Sequence, residues 1–264
     1  MKPPTFSEFW SSEVHHLYDH DMREMWDPKI APQIWNQYHH QLDLYQGLVR
    51  SLQPATILDV GCAQGTLALM LAESGYKVVA NDLRSDFLEY AKSRYEKGDI
   101  EFVSGNVFDL NLGKKFDLVF ANQIIEHLVY PVDFLRQLAG LVNPGGHIVV
   151  TTPSHSYFKN DLPTHHGIGD PAQHVNRQFT ADADGHFFAY TAEELLAYAK
   201  EAGLNDPRVF LFETPWISGH VKVRYLHSFV PVAFLRGLDR ITKNIPFVGK
   251  RACHQLGILA RVTG

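Results

Sequence analysis

The sequence predicts an α/β fold built on a doubly wound, mainly parallel sheet, and three observations carry that reading. The first is Ile57-Leu-Asp-Val-Gly-Cys-Ala-Gln-Gly65, an apolar run that ends in a glycine-rich loop. The second is Asp82, which closes a further apolar run just beyond that loop. The third is the alternation of strand-length apolar runs with amphipathic helical stretches as far as Thr152.

Taken in order, the first fifty-odd residues carry Phe6, Phe9, Trp10, Tyr18, Trp26, Trp35, Tyr38 and Tyr45 at broadly helical spacings. They read as helices broken at Asp27-Pro28, with most rings serving as packing. Thr56–Val60 is long enough for a buried strand, and the glycines after it allow a tight turn beneath a ligand. Thr66–Ser74 reads as helix and Lys77–Asn81 as the second strand, which delivers Asp82 to the same sheet edge. Phe116–Ala121 and His147–Thr152 read as the fourth and fifth strands. Between them come a helix after Pro131 and a Pro144-Gly145-Gly146 turn. Thr152–Tyr190 is irregular, too long for a plain connection, and too rich in rings for disorder. The Thr191-Ala-Glu-Glu194 capping box opens a helix to Ala202, followed by strands at Arg208–Phe212 and Ile258–Val262.

An acceptor-only carboxylate at Asp82 can take hydrogen bonds from both hydroxyls of a ribose, so the edge suits a nucleoside. A dinucleotide fingerprint would need glycine at the positions of Gly61, Ala63 and Thr66. Two of those fail, and a pyrophosphate would meet side chains where backbone must approach it. The bland alternative is an empty doubly wound domain with a glycine-rich loop.

From about Thr56 to Ser154, with looser echoes to Glu213, these residues resemble the class I S-adenosylmethionine-dependent methyltransferases. The resemblance implies a Rossmann-like seven-stranded sheet, mostly parallel with one antiparallel strand, plus N-terminal helices and a helical insertion, roughly His220–Asn244, before the last strand. It lays Asp59, Gly61, Cys62, Ala63 and Gly65 along the methionine moiety, Asp82 on the ribose and Leu83 beside the adenine. The segment Phe102–Leu110 looks like the family's third-strand region, with Asn106 near the adenine amino group and the Val107 backbone near the ring. The backbone of Asn122 and Gln123 falls near the cofactor's amino acid end. Two departures stand out: Ala63 replaces the commoner middle glycine, and Asn106, which could equally cap a turn, replaces the commoner aspartate. The organisation implied is a helical cap over 1–53, a methyltransferase core over 54–215 with an acceptor lid at 152–190, and a basic helical insertion with the final strand over 216–264.

Ala121-Asn-Gln-Ile-Ile-Glu-His127 leaves the fourth strand at its carboxyl end, where open α/β sheets bind ligands. It looks like the Glu-His element of quinone-biosynthesis O-methyltransferases and small-RNA 2′-O-methyltransferases, which makes His127 a candidate base, or else one half of a structural helix-start pair. His186 is the matching candidate from the lid, which also holds His155, His165, His166 and His174. In the RNA enzymes a Glu-x-x-Glu-His cluster holds a divalent ion. Here Gln123 takes the first glutamate position, so no metal ligand is assigned.

The net charge of −5 over 264 residues implies no polyanion partner, but Trp216–Gly264 holds eight Lys or Arg against Asp239 alone. Such asymmetry suggests an acidic partner surface or an anionic ligand, with a solvated helix face as the commoner explanation. Two cysteines make no disulfide framework, the start shows no apolar leader, and no run reaches the length of a membrane span, which points to the cytoplasm. The expected activity is methyl transfer to a hydroxyl or amine of a small polar metabolite or saccharide. RNA 2′-O-methylation and a non-catalytic cofactor-binding module are the alternatives, with nucleic acid disfavoured and oligomeric state open.

Overall fold

A computed structural model describes residues 1–178 and 188–263, and in it the strands and helices follow the periodicities above. Helix α1 (Ser12–Asp21) runs into a π-helical turn, Met22–Trp26, and stops at Asp27, the break expected there. Proline at its first turn opens α2 (Pro32–Leu52), which ends on a left-handed Gln53. Strand β1 (Thr56–Val60) is buried from Ile57 on, as a central parallel strand covered on both faces must be. There follow α3 (Thr66–Glu73), β2 (Lys77–Asp82), α4 (Ser85–Ser93), β3 (Asp99–Ser104), β4 (Phe116–Asn122), α5 (Pro131–Gly140) and β5 (Val142–Pro153). The later elements are α6 (Ala192–Glu201), β6 (Asn205–Phe212), α7 (Pro215–Ser218), α8 (Val232–Lys243), α9 (Val248–Ala252) and β7 (Gln255–Arg261).

The seven strands hydrogen-bond in the order β3-β2-β1-β4-β5-β7-β6, and β7 runs antiparallel to both its neighbours. Two compact units divide the chain. One is Met1–Leu110 with Pro215–Arg240, and the other is Asn111–Thr214 with Ile241–Gly264.

The Pro144-Gly145-Gly146 segment departs from its expected turn. It lies inside β5 as a bulge: Phe116 pairs with Val142, whereas Leu118 pairs with His147. A Cβ at Gly146 would come within 2.7 Å of the Asp117 carbonyl, so the bulge needs glycine there. The capping box of α6 is present in full, with Thr191 and Glu194 each bonded to the other's backbone. Both late strands start three residues earlier than expected: β6 begins with Asn205 paired to Arg261, ahead of a register shift before Arg208, and β7 begins with Gln255 paired to Pro153 and Phe212.

Candidate active site

In the first unit the chain leaves β1 through a loop in which alternate residues are left-handed, with φ of 65° at Gly61, 46° at Ala63 and 75° at Gly65. Gly65 is required twice over, for its φ and because a Cβ would lie 2.7 Å from Ala91 Cβ on α4. By size, the Ala63 methyl is a mild departure from glycine, small enough to leave the loop open. In the structure its cost is a left-handed backbone, on the order of 1 kcal/mol for an L residue.

Asp82 is buried at the end of β2. Its Oδ2 accepts from the Ala63 amide at 2.9 Å, and its Oδ1 accepts from the Arg84 amide at 3.0 Å and Arg84 Nε at 3.3 Å. Asp59 is buried on the adjacent strand, and burial, then the charge of Asp82, pushes its carboxyl up to about 7. Burial, followed by those two carboxylates, also pushes the Cys62 thiol well up, which makes it an inert wall. Leu83 is half exposed next to Asp82. After β3, Asn106 Oδ1 accepts from the Phe108 amide at 3.1 Å, so this side chain does cap a turn, and Val107 beside it is buried.

The N-terminal helices hold this loop from behind. Ala63 packs against Val14, Leu17, Phe87 and Tyr90. Gln64 Nε2 donates to Glu24 Oε2 at 2.7 Å and to the Tyr38 hydroxyl at 3.0 Å. Arg94, fully buried, donates to the Gln64 carbonyl at 2.5 Å and to Thr66 Oγ1 at 3.0 Å, and pairs with buried Asp21 at 3.0 Å. Asp21 also accepts from Trp26 Nε1 and the Tyr90 hydroxyl. Burial, with Asp21 adding to it, pushes Glu24 up to about 7. Sequence reasoning missed Asp21, Glu24, Tyr38 and Arg94, whose one signal is acidic residues set among helical aromatics.

In the second unit β4 ends at Asn122, whose Oδ1 accepts from Thr151 Oγ1 at 3.1 Å. Gln123, at φ 54°, donates to Thr151 Oγ1 and Gln255 Oε1, which turns its side chain toward β5 and β7. His127 is half-buried in the single turn Ile125–His127. Glu126 beside it is fully buried, and burial raises its carboxyl to about 8 against a hydrogen bond with Thr152.

Three of the candidate lid's histidines have structural partners. His165 engages the Tyr198 hydroxyl at 2.7 Å and the Val129 carbonyl at 3.0 Å, His166 engages Glu194 at 2.9 Å, and His174 the Ile168 carbonyl at 3.2 Å. His186 lies outside the described residues. Among the described residues no group of three His, Cys, Asp or Glu is arranged to hold a metal ion.

Residues 18–207, most of the chain, match the sequence profile of a family described as a methyltransferase domain. The chain belongs to the class I S-adenosylmethionine-dependent methyltransferases. The mitochondrial ubiquinone biosynthesis O-methyltransferase of Schizosaccharomyces pombe is 31% identical over 159 residues, covering 58% of this chain and 56% of that one. The chain thus matches little more than half the length of that relative. The ubiquinone biosynthesis O-methyltransferase of Bordetella avium is 29% identical over 203 residues, covering 70% of this chain and 79% of that one. Phosphoethanolamine N-methyltransferase 2 of Haemonchus contortus, solved with S-adenosylmethionine, shares the fold at 14% identity with a TM-score of 0.56, covering 98% of this chain and 62% of that one.

S-adenosylmethionine is this family's cofactor, and the first unit suits it on electrostatic grounds. Two buried carboxylates, Asp59 and Asp82, favour a ligand that brings hydroxyl donors and positive charge, as a ribose, an ammonium and a sulfonium do.

Proposed function

We propose that this methyltransferase moves a methyl group from S-adenosylmethionine to a hydroxyl or amine of a small polar metabolite or saccharide, leaving S-adenosylhomocysteine. The observation that carries the reading is the bond from the Ala63 amide to Asp82, which joins the loop and the ribose acceptor in one buried acidic site with Asp59. Asp82 takes the ribose hydroxyls and Leu83 lies on the adenine, with Asn106 and the Val107 backbone at its edge. Asp59, Gly61, Cys62, Ala63 and Gly65 line the methionine moiety, and the Asn122 and Gln123 backbone meets its amino acid end. The bound cofactor supplies an electrophilic methyl on a sulfonium, so the chain has to align, desolvate and deprotonate the acceptor. His127 is the base we assign, with His186 on the acceptor side. In this reading residues 1–53 act as the cap, 152–190 as the acceptor lid and 216–264 as an accessory segment. The O-methyltransferase names of the relatives favour a hydroxyl.

Calorimetry with S-adenosylhomocysteine and turnover over a panel of hydroxyl and amine acceptors test this. Asp82→Ala should weaken cofactor binding about tenfold to hundredfold, the loss of a buried bidentate acceptor. His127→Ala should keep cofactor affinity and lower kcat about 10² to 10⁴ fold. Unchanged affinity in the first variant refutes the ribose assignment, and unchanged kcat in the second makes His127 a packing residue.

A further inference from the structure

Half of the exposed large apolar side chains among the described residues lie between Val221 and Val248, a short stretch of the chain. Five of them are large and prominent: Tyr225 is 58% exposed, Phe229 85%, Phe234 60%, Ile241 64% and Phe247 92%. Phe234 and Ile241, seven residues apart, share one angle of α8. Gly237 and Ala233 lie on the same outer side, and Arg240 flanks it.

This face is not the one that seats the helix. Leu235 and Asp239 are buried on the opposite side, where Arg236 reaches Asn36 at 3.0 Å and Asp43 at 2.5 Å, and His40 lies 3.6 Å from Asp239. Helix α8 is therefore already packed on α2, and the Phe234-Ile241 side is a second apolar face turned to solvent.

Its charge narrows the partner. From Val221 to Arg251 the chain has seven Lys or Arg and one acid, Asp239, which is buried and so presents no charge to a partner. Lys222, Arg224 and Arg240 are exposed in the same stretch of chain, and the Arg224 guanidinium lies 5.0 Å from the Tyr225 ring centroid. A second copy of the chain would bring like charges together. A nucleic acid would satisfy the cations and leave Phe229, Phe234 and Ile241 in water. A bilayer with acidic headgroups satisfies both, taking rings into the acyl boundary while the basic side chains reach the phosphates. No helix among the described residues is long and apolar enough to cross a membrane, so such contact would be interfacial.

We infer that the turn Val223–Ser228 and α8 form a surface that docks this chain on an anionic membrane. The inference is independent of the acceptor proposed above, because partition needs no turnover. Flotation of the full chain with phosphatidylcholine vesicles, with and without phosphatidylglycerol, tests it. The chain should float with the phosphatidylglycerol vesicles, less so at high salt, and poorly with phosphatidylcholine alone. Lys222→Glu with Arg224→Glu, and separately Phe229→Ser with Phe234→Ser, should each weaken partition about tenfold or more. Both double variants should keep S-adenosylhomocysteine affinity, which shows that they fold. The inference is overturned if the chain stays with the soluble fraction at every composition, or if both double variants float like the parent. It is equally overturned if the phenylalanine variant abolishes self-association of the lipid-free protein while flotation is absent, which assigns the face to a second copy.

Discussion

At the residue scale, Asp59 gives the site a pH signature. Its pKa is raised above the ordinary carboxylate value to about 7, so the free protein keeps a proton there that the unfolded chain loses near pH 4. The stability from this group is present below that value and is lost as pH rises through about 7. A ligand carrying an ammonium and hydroxyl donors prefers the ionised form, so S-adenosylhomocysteine affinity should climb with pH and level off above about 7. Calorimetry from acid to mild alkali should find that slope reduced in Asp59→Asn, and an equal slope in the variant would move its origin to Glu24, which titrates in the same range. Ala63 sets a second test. At φ 46° a β-branched side chain is a true outlier, so Ala63→Val should weaken cofactor binding about tenfold or more while Ala63→Gly keeps it. Equal affinities in the two variants would mean that the loop backbone is not held left-handed in the complex.

At the element scale, the glycine loop is held by helices far from it in sequence. Arg94 at the end of α4 ties Asp21 of α1 to the Gln64 carbonyl, and all three lie in the same compact unit. Removing one member of a buried ion pair leaves the other uncompensated, at about 3 to 5 kcal/mol. Arg94→Met should cost that much in denaturant unfolding, and Arg94→Met with Asp21→Leu should recover a good part of it. A double variant no better than the single would place the cost in the lost bonds to Gln64 and Thr66 instead. The loop, Asp82 and the β-strands were legible in the sequence because each is a local pattern of glycine, charge or period. The Asp21-Arg94 pair was not, since its partners are 73 residues apart and neither has a motif. The Pro144-Gly145-Gly146 bulge was misread for a related reason: the residue types of a turn also suit a strand that must absorb extra residues against β4.

At the scale of the whole molecule, the described residues hold no group of three His, Cys, Asp or Glu arranged for a metal ion, which makes a clear forecast. Gln123 stands where a charged ligand would be needed and is turned onto Thr151 and Gln255, so turnover should survive EDTA. Loss of activity on chelation, restored by a divalent ion, would favour the RNA-type chemistry set aside above. By itself the sequence determined the α/β class, the alternating strands and helices as far as Thr152, and the glycine loop with Asp82 at a strand end, since glycine spacing and apolar periodicity act over a few residues and need no partner to be read. Tertiary structure alone decided which charged groups are stripped of water. Burial, a property of everything packed around a side chain, raises the carboxyls of Asp59, Glu24 and Glu126, engages His165 in packing, and leaves Phe229, Phe234 and Ile241 facing solvent.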